Sequence, residues 1–335
     1  MGEGEVFKEI YTMKRILCIA LLIALVPAVT WGDSKDEPLA SFKRLGQSGL
    51  TFLKIGQGAR PVGMGDAFTA ISDDINAIFW NPAGLTQIER TAYVFSYTSW
   101  LVNSKIYSGA FAYKGLGGVW GFSALSAKPD DFEETTILQP QGTGKMVKTG
   151  DVALGLAFAR QMTDKFSWAM NVRWAQETLH NNKVSFLILD VGTFLHTGFK
   201  TSRIAATLKN FGKDGKVYNN TFQMPLYFNV GLAMEAFGKR EERNYLTLSA
   251  ESAYAVDYGQ RVHVGAELWM VNLLALRAGY KFNYDSESYT LGAGLRWKMG
   301  GKGRALTADF AYSGLRSDAG QFFDAPLRVS VGGSF

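Results

Sequence analysis

From about Tyr93 to the last residue, apolar side chains recur at every second position, in segment after segment. Tyr93, Phe95 and Tyr97 alternate with Val94, Ser96 and Thr98. Leu154, Leu156 and Phe158 alternate with Gly155, Ala157 and Ala159, and Leu291, Leu295 and Trp297 face away from Gly292, Gly294 and Arg296. A strand sets successive side chains on opposite faces, so this period dictates strands with two unlike faces. About fourteen such segments of roughly 8–12 residues follow one another, the even count and length of a membrane-spanning barrel. The first lies near 92–101 and the last near 327–335. No stretch beyond residue 90 keeps a helical period over two turns.

The connections sort by parity. If the first strand starts at the periplasm, the even connections face inward, and these are mostly tight, as at Gly115-Leu116 and Met162 to Lys165. The long ones, 127–149, 211–225 and 313–326, all fall on odd positions. Short periplasmic turns with long outer loops are the asymmetry of bacterial outer-membrane barrels. In the last segment Leu327, Val329, Val331 and Phe335 share one face, and the chain ends on Phe335. An amphipathic closing strand with a terminal aromatic resembles the signal read by the barrel insertion machinery, which makes Val329, Val331 and Phe335 the candidate insertion residues. Trp100, Trp120, Trp174, Trp269 and Trp297 fall near strand ends, where an interfacial aromatic girdle belongs.

Met13-Lys14-Arg15 precedes an unbroken apolar run from Ile16 to Val29 and the exit Thr30-Trp31-Gly32. These are the parts of a secretory signal peptide, with translation expected to start at Met13 and cleavage after Gly32. Residues 1–32 are therefore read as an extension plus signal peptide, 33–90 as a periplasmic lead and hatch, and 91–335 as the barrel. The sole cysteine, Cys18, lies in the removed segment, so the mature chain has neither disulfide nor thiolate metal site.

Composition agrees with strands and turns: 13% aromatic residues, 37 glycines and only 19% charged residues, below the roughly 25% of soluble proteins. A mean hydropathy of −0.02 excludes a polytopic helical membrane protein. The net charge of +5 comes from basic residues scattered in ones and twos, which argues against nucleic acid as a partner.

Residues 50–90 do not alternate. Gly, Ala and Asp with short apolar pieces suit a compact plug of turns and short helices. Phe52-Leu53-Lys54-Ile55, Ala59-Arg60, Gly63-Met64-Gly65, Ala67 to Ala70, Asp73-Asp74, Asn76 and Trp80-Asn81-Pro82-Ala83-Gly84-Leu85 resemble the N-terminal signature of the PorV/PorQ family, within the FadL-like outer-membrane group. The resemblance covers about 40 residues closely. It implies a fourteen-stranded transmembrane barrel in the outer membrane of a diderm bacterium, embedded in its lipid and plugged by a hatch. Arg60, Gly63, Gly65, Asp73, Asp74, Asn76, Trp80, Asn81, Pro82 and Gly84 are the residues carried over as the hatch motif. It further implies passive transport of hydrophobic small molecules, fatty-acid-like or aromatic. The alternative is a PorV-type role in type IX secretion and surface attachment, binding exported protein cargo.

Enzyme chemistry finds no footing. The sequence has no Gly-x-Ser-x-Gly elbow, and His180, His196 and His263 are far apart and form no zinc-type pair. Gly56-Gln57-Gly58 lacks the further glycine and βαβ setting of a phosphate loop. Asp73-Asp74 is a weak cation candidate. The expectation is a non-enzymatic barrel without cofactor or metal.

Overall fold

The computed structural model describes residues 48–335 apart from 181, 218, 219, 241 and 301–303. The expected signal peptide and the lead up to residue 47 lie outside the described residues. The chain folds into a closed transmembrane barrel of fourteen antiparallel strands. They are β1 (Thr91–Ser99), β2 (Lys105–Gly115), β3 (Gly118–Lys128), β4 (Thr149–Gln161), β5 (Phe166–Leu179), β6 (Asn182–His196) and β7 (Arg203–Gly212). After them come β8 (Tyr227–Phe237), β9 (Tyr245–Ala255), β10 (Arg261–Met270), β11 (Leu274–Phe282), β12 (Glu287–Lys298), β13 (Ala305–Leu315) and β14 (Leu327–Ser334). Each strand pairs with its sequence neighbours, and β1 pairs with β14 to close the ring. Every alternating segment of the sequence is one of these strands.

The seam is made by the residues read as the insertion signal. Phe95 lies opposite Val331 and Tyr97 opposite Val329. The Thr91 and Phe335 N–H groups each donate to the other's carbonyl, at 3.1 and 2.9 Å. The Phe335 ring stacks on Tyr93 with centroids 6.0 Å apart. The last carboxy-terminal residues thus complete the hydrogen-bond ladder and leave no strand edge, a condition for any sheet in hydrocarbon.

The faces of the strands now have labels. Phe95, Tyr107, Phe111, Phe122, Leu156 and Val331 point outward and are about half exposed or more, as are many of their neighbours around the ring. Inward positions are small or charged: Ala92, Ala112, Ala157 and Ala159 on the early strands, and Arg261, Glu267, Arg277, Lys281 and Arg328 on the late ones. This inversion of a soluble core, apolar outside and charged inside, is what a bilayer surround selects.

The three longest connections, 129–148, 213–226 and 316–326, are all odd. The longest even one is 238–244, while the odd turn between β5 and β6 is as tight as any. Two of the connections carry small hairpins of their own, Phe132–Glu133 with Met146–Val147 and Gly215–Val217 with Asn220–Phe222.

Two girdle assignments fail. Trp120, Trp174 and Trp297 do face outward, but Trp269 is only 1% exposed. Its strand alternates Arg261, His263, Gly265, Glu267 and Trp269 on the lumen side, so parity with two buried charges decides its direction. Trp100 packs against the apolar cluster at the long-loop end rather than facing lipid.

Candidate functional site

Residues 48–90 thread the lumen from the long-loop end to the short-turn end. Ser48 bridges to Gln223 of the 213–226 loop, and the Gly49 N–H donates to the Gln223 carbonyl at 3.1 Å. The Leu50 N–H donates to Glu177 Oε2 at 2.9 Å, and Lys54 Nζ pairs with Asp257 of the β9–β10 loop at 2.8 Å. Burial would raise the Asp257 carboxyl, but hydrogen bonds from Lys54 and Ser48 hold it below its usual range. The chain then runs through helix α1 (Ala59–Gly63), a turn at 64–76, helix α2 (Ala77–Trp80) and a 3₁₀ turn (Pro82–Gln87) before entering β1. From Ala59 to Leu85 nearly every residue is buried.

One wall grips this hatch by charge. Arg60, 4% exposed, donates through Nε to Glu267 Oε2 at 2.8 Å and through Nη2 to Oε1 at 2.7 Å. Its Nη1 reaches Asp73 and, at 2.8 Å, Asp74 Oδ2. Glu267 also accepts from Arg277 Nε at 2.7 Å, and Arg277 Nη1 continues to Asp309 at 2.7 Å. Nearby, Lys281 joins Asp66 of the hatch at 2.6 Å to Glu287 at 3.1 Å. Arg240, in the turn between β8 and β9, pairs with Asp73 at 2.9 Å and with Glu235 at 3.2 Å. Burial disfavours the Asp73 carboxylate, yet Arg240 and Arg60 outweigh it and bring its pKa to about 2. Bidentate forks of this kind fix orientation as well as charge.

The opposite wall is apolar and small. Val62, Met64, Phe68, Ile71, Ile78 and Leu85 pack against Ala92, Ala112, Ala157, Ala169, Phe194 and Ala233. A second cluster gathers Leu50, Phe52 and Leu53 with Ile106, Leu125, Ile188 and Met224, flanked by Trp100, Phe186 and Phe222, at the long-loop end. Between the two clusters the wall itself is irregular. The β6–β7 pairing shifts between Leu189 and Val191, so Lys209 and Asn210 oppose Asp190 alone. Such a bulge bends its strand. Asp190 accepts there from Asn171 at 3.1 Å, Arg173 at 2.7 Å and the Asn210 N–H at 2.7 Å, while Lys209 lies 5.1 Å from the Trp80 ring centroid.

Each hatch-motif residue has a place in this docking. Asn81 is fully buried; its Oδ1 caps the 3₁₀ turn by accepting from the Ala83 N–H, and its Nδ2 donates to the carbonyls of Thr69 and of Thr193 on β6, at 3.0 and 3.1 Å. Pro82 opens that turn, where its missing N–H leaves no donor unmet. Trp80 Nε1 donates to the Gln57 carbonyl at 2.8 Å, and the Asn76 N–H donates to Asp74 Oδ1 at 2.8 Å. Gly63 lies against Gly292 of the wall, Gly65 (φ +65°) against β11, and Gly84 against the Ser72 carbonyl. Asp73 and Asp74 face arginines, which answers the cation reading of that pair. Sequence reasoning missed the wall partners Glu267, Arg277 and Lys281, and with them Glu251, which accepts from the Thr69 N–H at 2.9 Å. Their readable signal was charge recurring on a single face of β9 to β11.

At the short-turn end the lumen opens into a cavity of about 760 Å³, bounded by Arg60, Asp73, Ile88, Tyr93, Trp269 and Arg296 among others. Arg296 stacks on the Trp269 indole at 3.9 Å, and Tyr245 stacks on it from another side with centroids 6.2 Å apart.

The sequence profile of the uncharacterised protein family UPF0164 matches residues 26–216. No curated protein matches the chain. Among solved structures, the barrel is similar to the Pseudomonas putida toluene transporter TodX, at 12% identity and a TM-score of 0.57 over 84% of this chain and 99% of that one. It is similar also to the CymD monoaromatic hydrocarbon channel, at 12% identity and a TM-score of 0.55 over 86% of this chain and 99% of that one. At such identity the likeness is one of fold.

Proposed function

The chain belongs to the uncharacterised protein family UPF0164, and from that premise and the geometry of its lumen we propose that it is an outer-membrane channel for passive entry of hydrophobic small molecules. The observation that carries this reading is the plugged lumen. A hatch held by non-covalent contacts fills it, and Leu50 and Phe52 of that segment cover an apolar wall at Ile106 and Ile188 under the long loops, which a shift of the segment would uncover to an entering molecule. A hydrophobic molecule leaving water for such a surface gains about 0.8 kcal/mol per methylene, which drives entry without an energy source. Two solved barrels of this fold, a toluene transporter and a monoaromatic hydrocarbon channel, support the same reading. The PorV/PorQ likeness of the hatch motif, the domain limits at 32 and 90, and the outward direction of the long loops belong to the proposal.

Lipopolysaccharide, not the phospholipid leaflet, is the barrier to such solutes, so the test uses intact cells. A diderm host producing the full chain takes up radiolabelled toluene several-fold faster than the empty-vector host, with sugar uptake unchanged. Equal toluene uptake overturns the reading. A large exported protein that co-purifies with an otherwise empty barrel carries the cargo-binding alternative instead.

A further inference from the structure

We infer that the cavity at the short-turn end binds a small organic anion, a carboxylate on a compact apolar body. Trp269 and Arg277 are 1% and 3% exposed, and both line the cavity. Neither Trp269 Nε1 nor Arg277 Nη2 has a hydrogen-bond partner among the described residues. The two guanidinium carbons nearest the indole, of Arg296 and Arg277, lie 3.9 and 5.7 Å from its centroid. Two guanidinium groups therefore flank one aromatic ring, and that ring carries the third N–H donor itself.

The charge around them is unbalanced. Seven basic side chains line the cavity against four acidic ones. Of the acidic ones Asp73, Asp74 and Asp309 are taken by Arg60, Arg240 and Arg277, and Glu89 is the fourth. Arg90, Arg296, Lys298 and Arg304 line the same space and have no carboxylate partner among the described residues. A neutral hydrocarbon seated here leaves buried N–H donors unmet, whereas a carboxylate accepts from a guanidinium fork and an indole together. A bare inorganic ion meets the charge but fills little of about 760 Å³ and makes no use of the apolar lining at Ile75, Ile88, Val94 and Tyr245. An anion with an apolar body satisfies both parts of the lining.

The cavity sits where a molecule that has passed the hatch leaves the lumen. Its role as an exit site thus rests on the transport reading; the binding itself does not. The test uses the purified full-length barrel in detergent, titrated calorimetrically with benzoate, with benzyl alcohol as the uncharged body and inorganic phosphate as the ion alone. Benzoate binds saturably and at least tenfold tighter than either, and Arg296→Gln or Trp269→Phe weakens it at least tenfold. An unchanged shift between heated and unheated samples on a detergent gel shows that each variant keeps its fold. Equal affinity for benzoate and benzyl alcohol, equal affinity for phosphate, or benzoate binding untouched by Arg296→Gln overturns the inference. Benzoate binding in a protein that fails the toluene test defeats transport alone; toluene uptake without benzoate binding defeats this site alone.

Discussion

Arg60 shows how a single side chain closes this barrel. Its guanidinium faces three carboxylates, Glu267 on the wall and Asp73 and Asp74 on the hatch itself. Removing one partner of a buried pair strands the other charge, at about 3–5 kcal/mol. Asp73 ties this group to pH. Its carboxyl is depressed to about 2 by Arg240 and Arg60 working against burial; an undocked Asp titrates near about 3.9. A depressed carboxylate lends its stabilisation in full above the undocked value and loses it as pH falls toward the docked one. Single-channel conductance in a planar bilayer therefore stays low and flat from pH 7 to about 4 and rises as pH drops toward about 2. Asp73→Asn raises the conductance already at pH 7, and a flat acid profile in the native chain removes Asp73 as the latch.

At the scale of elements, the hatch and the strands share a contact surface made of backbone. Lumen-facing glycines of β10, β11 and β12 meet the hatch: Gly265 against Met64, Gly279 against Gly65 and Gly292 against Gly63. A Cβ on Gly279 would collide with the Gly65 backbone, which no rotamer change relieves. Overpacking of this sort typically costs about 1–3 kcal/mol. Because β11 is held on both sides by β10 and β12, the hatch is the part that yields. Gly279→Val is expected to insert normally, to conduct more than the native chain, and to expose 59–65 to protease in detergent. Native conductance in that variant would mean that the hatch is not seated on this wall.

For the whole molecule, stability resides in the closed ladder. In hydrocarbon every backbone group needs a partner, and fourteen strands sealed by β1 and β14 supply one. The candidate insertion residues take part in it directly, since Val329 and Val331 pair across the seam and Phe335 stacks beyond it. Unheated samples should therefore run faster than boiled ones on a detergent gel. Truncation of the last three residues should abolish the fast form, and a fast form that survives it shows the seam closing without Phe335.

Strand number, strand limits and the ring itself were readable in the sequence, because a period of two is a local property and each hydrophobic alternation reports itself. The segment at 50–90 was readable for the converse reason, as a long stretch without that period. Direction was not. Alternation yields two unlabelled faces, and Trp269 looked like a girdle residue until its parity with Glu267 and His263 met a lumen. Nor could the sequence announce the wall partner of Arg60, Glu267, which stands 207 positions away on β10. Local pattern determines which segments become strands. Which charges meet, and what space is left between them at the short-turn end, is decided by closure and by the hatch that closure encloses, since both depend on contacts that no neighbouring residues record.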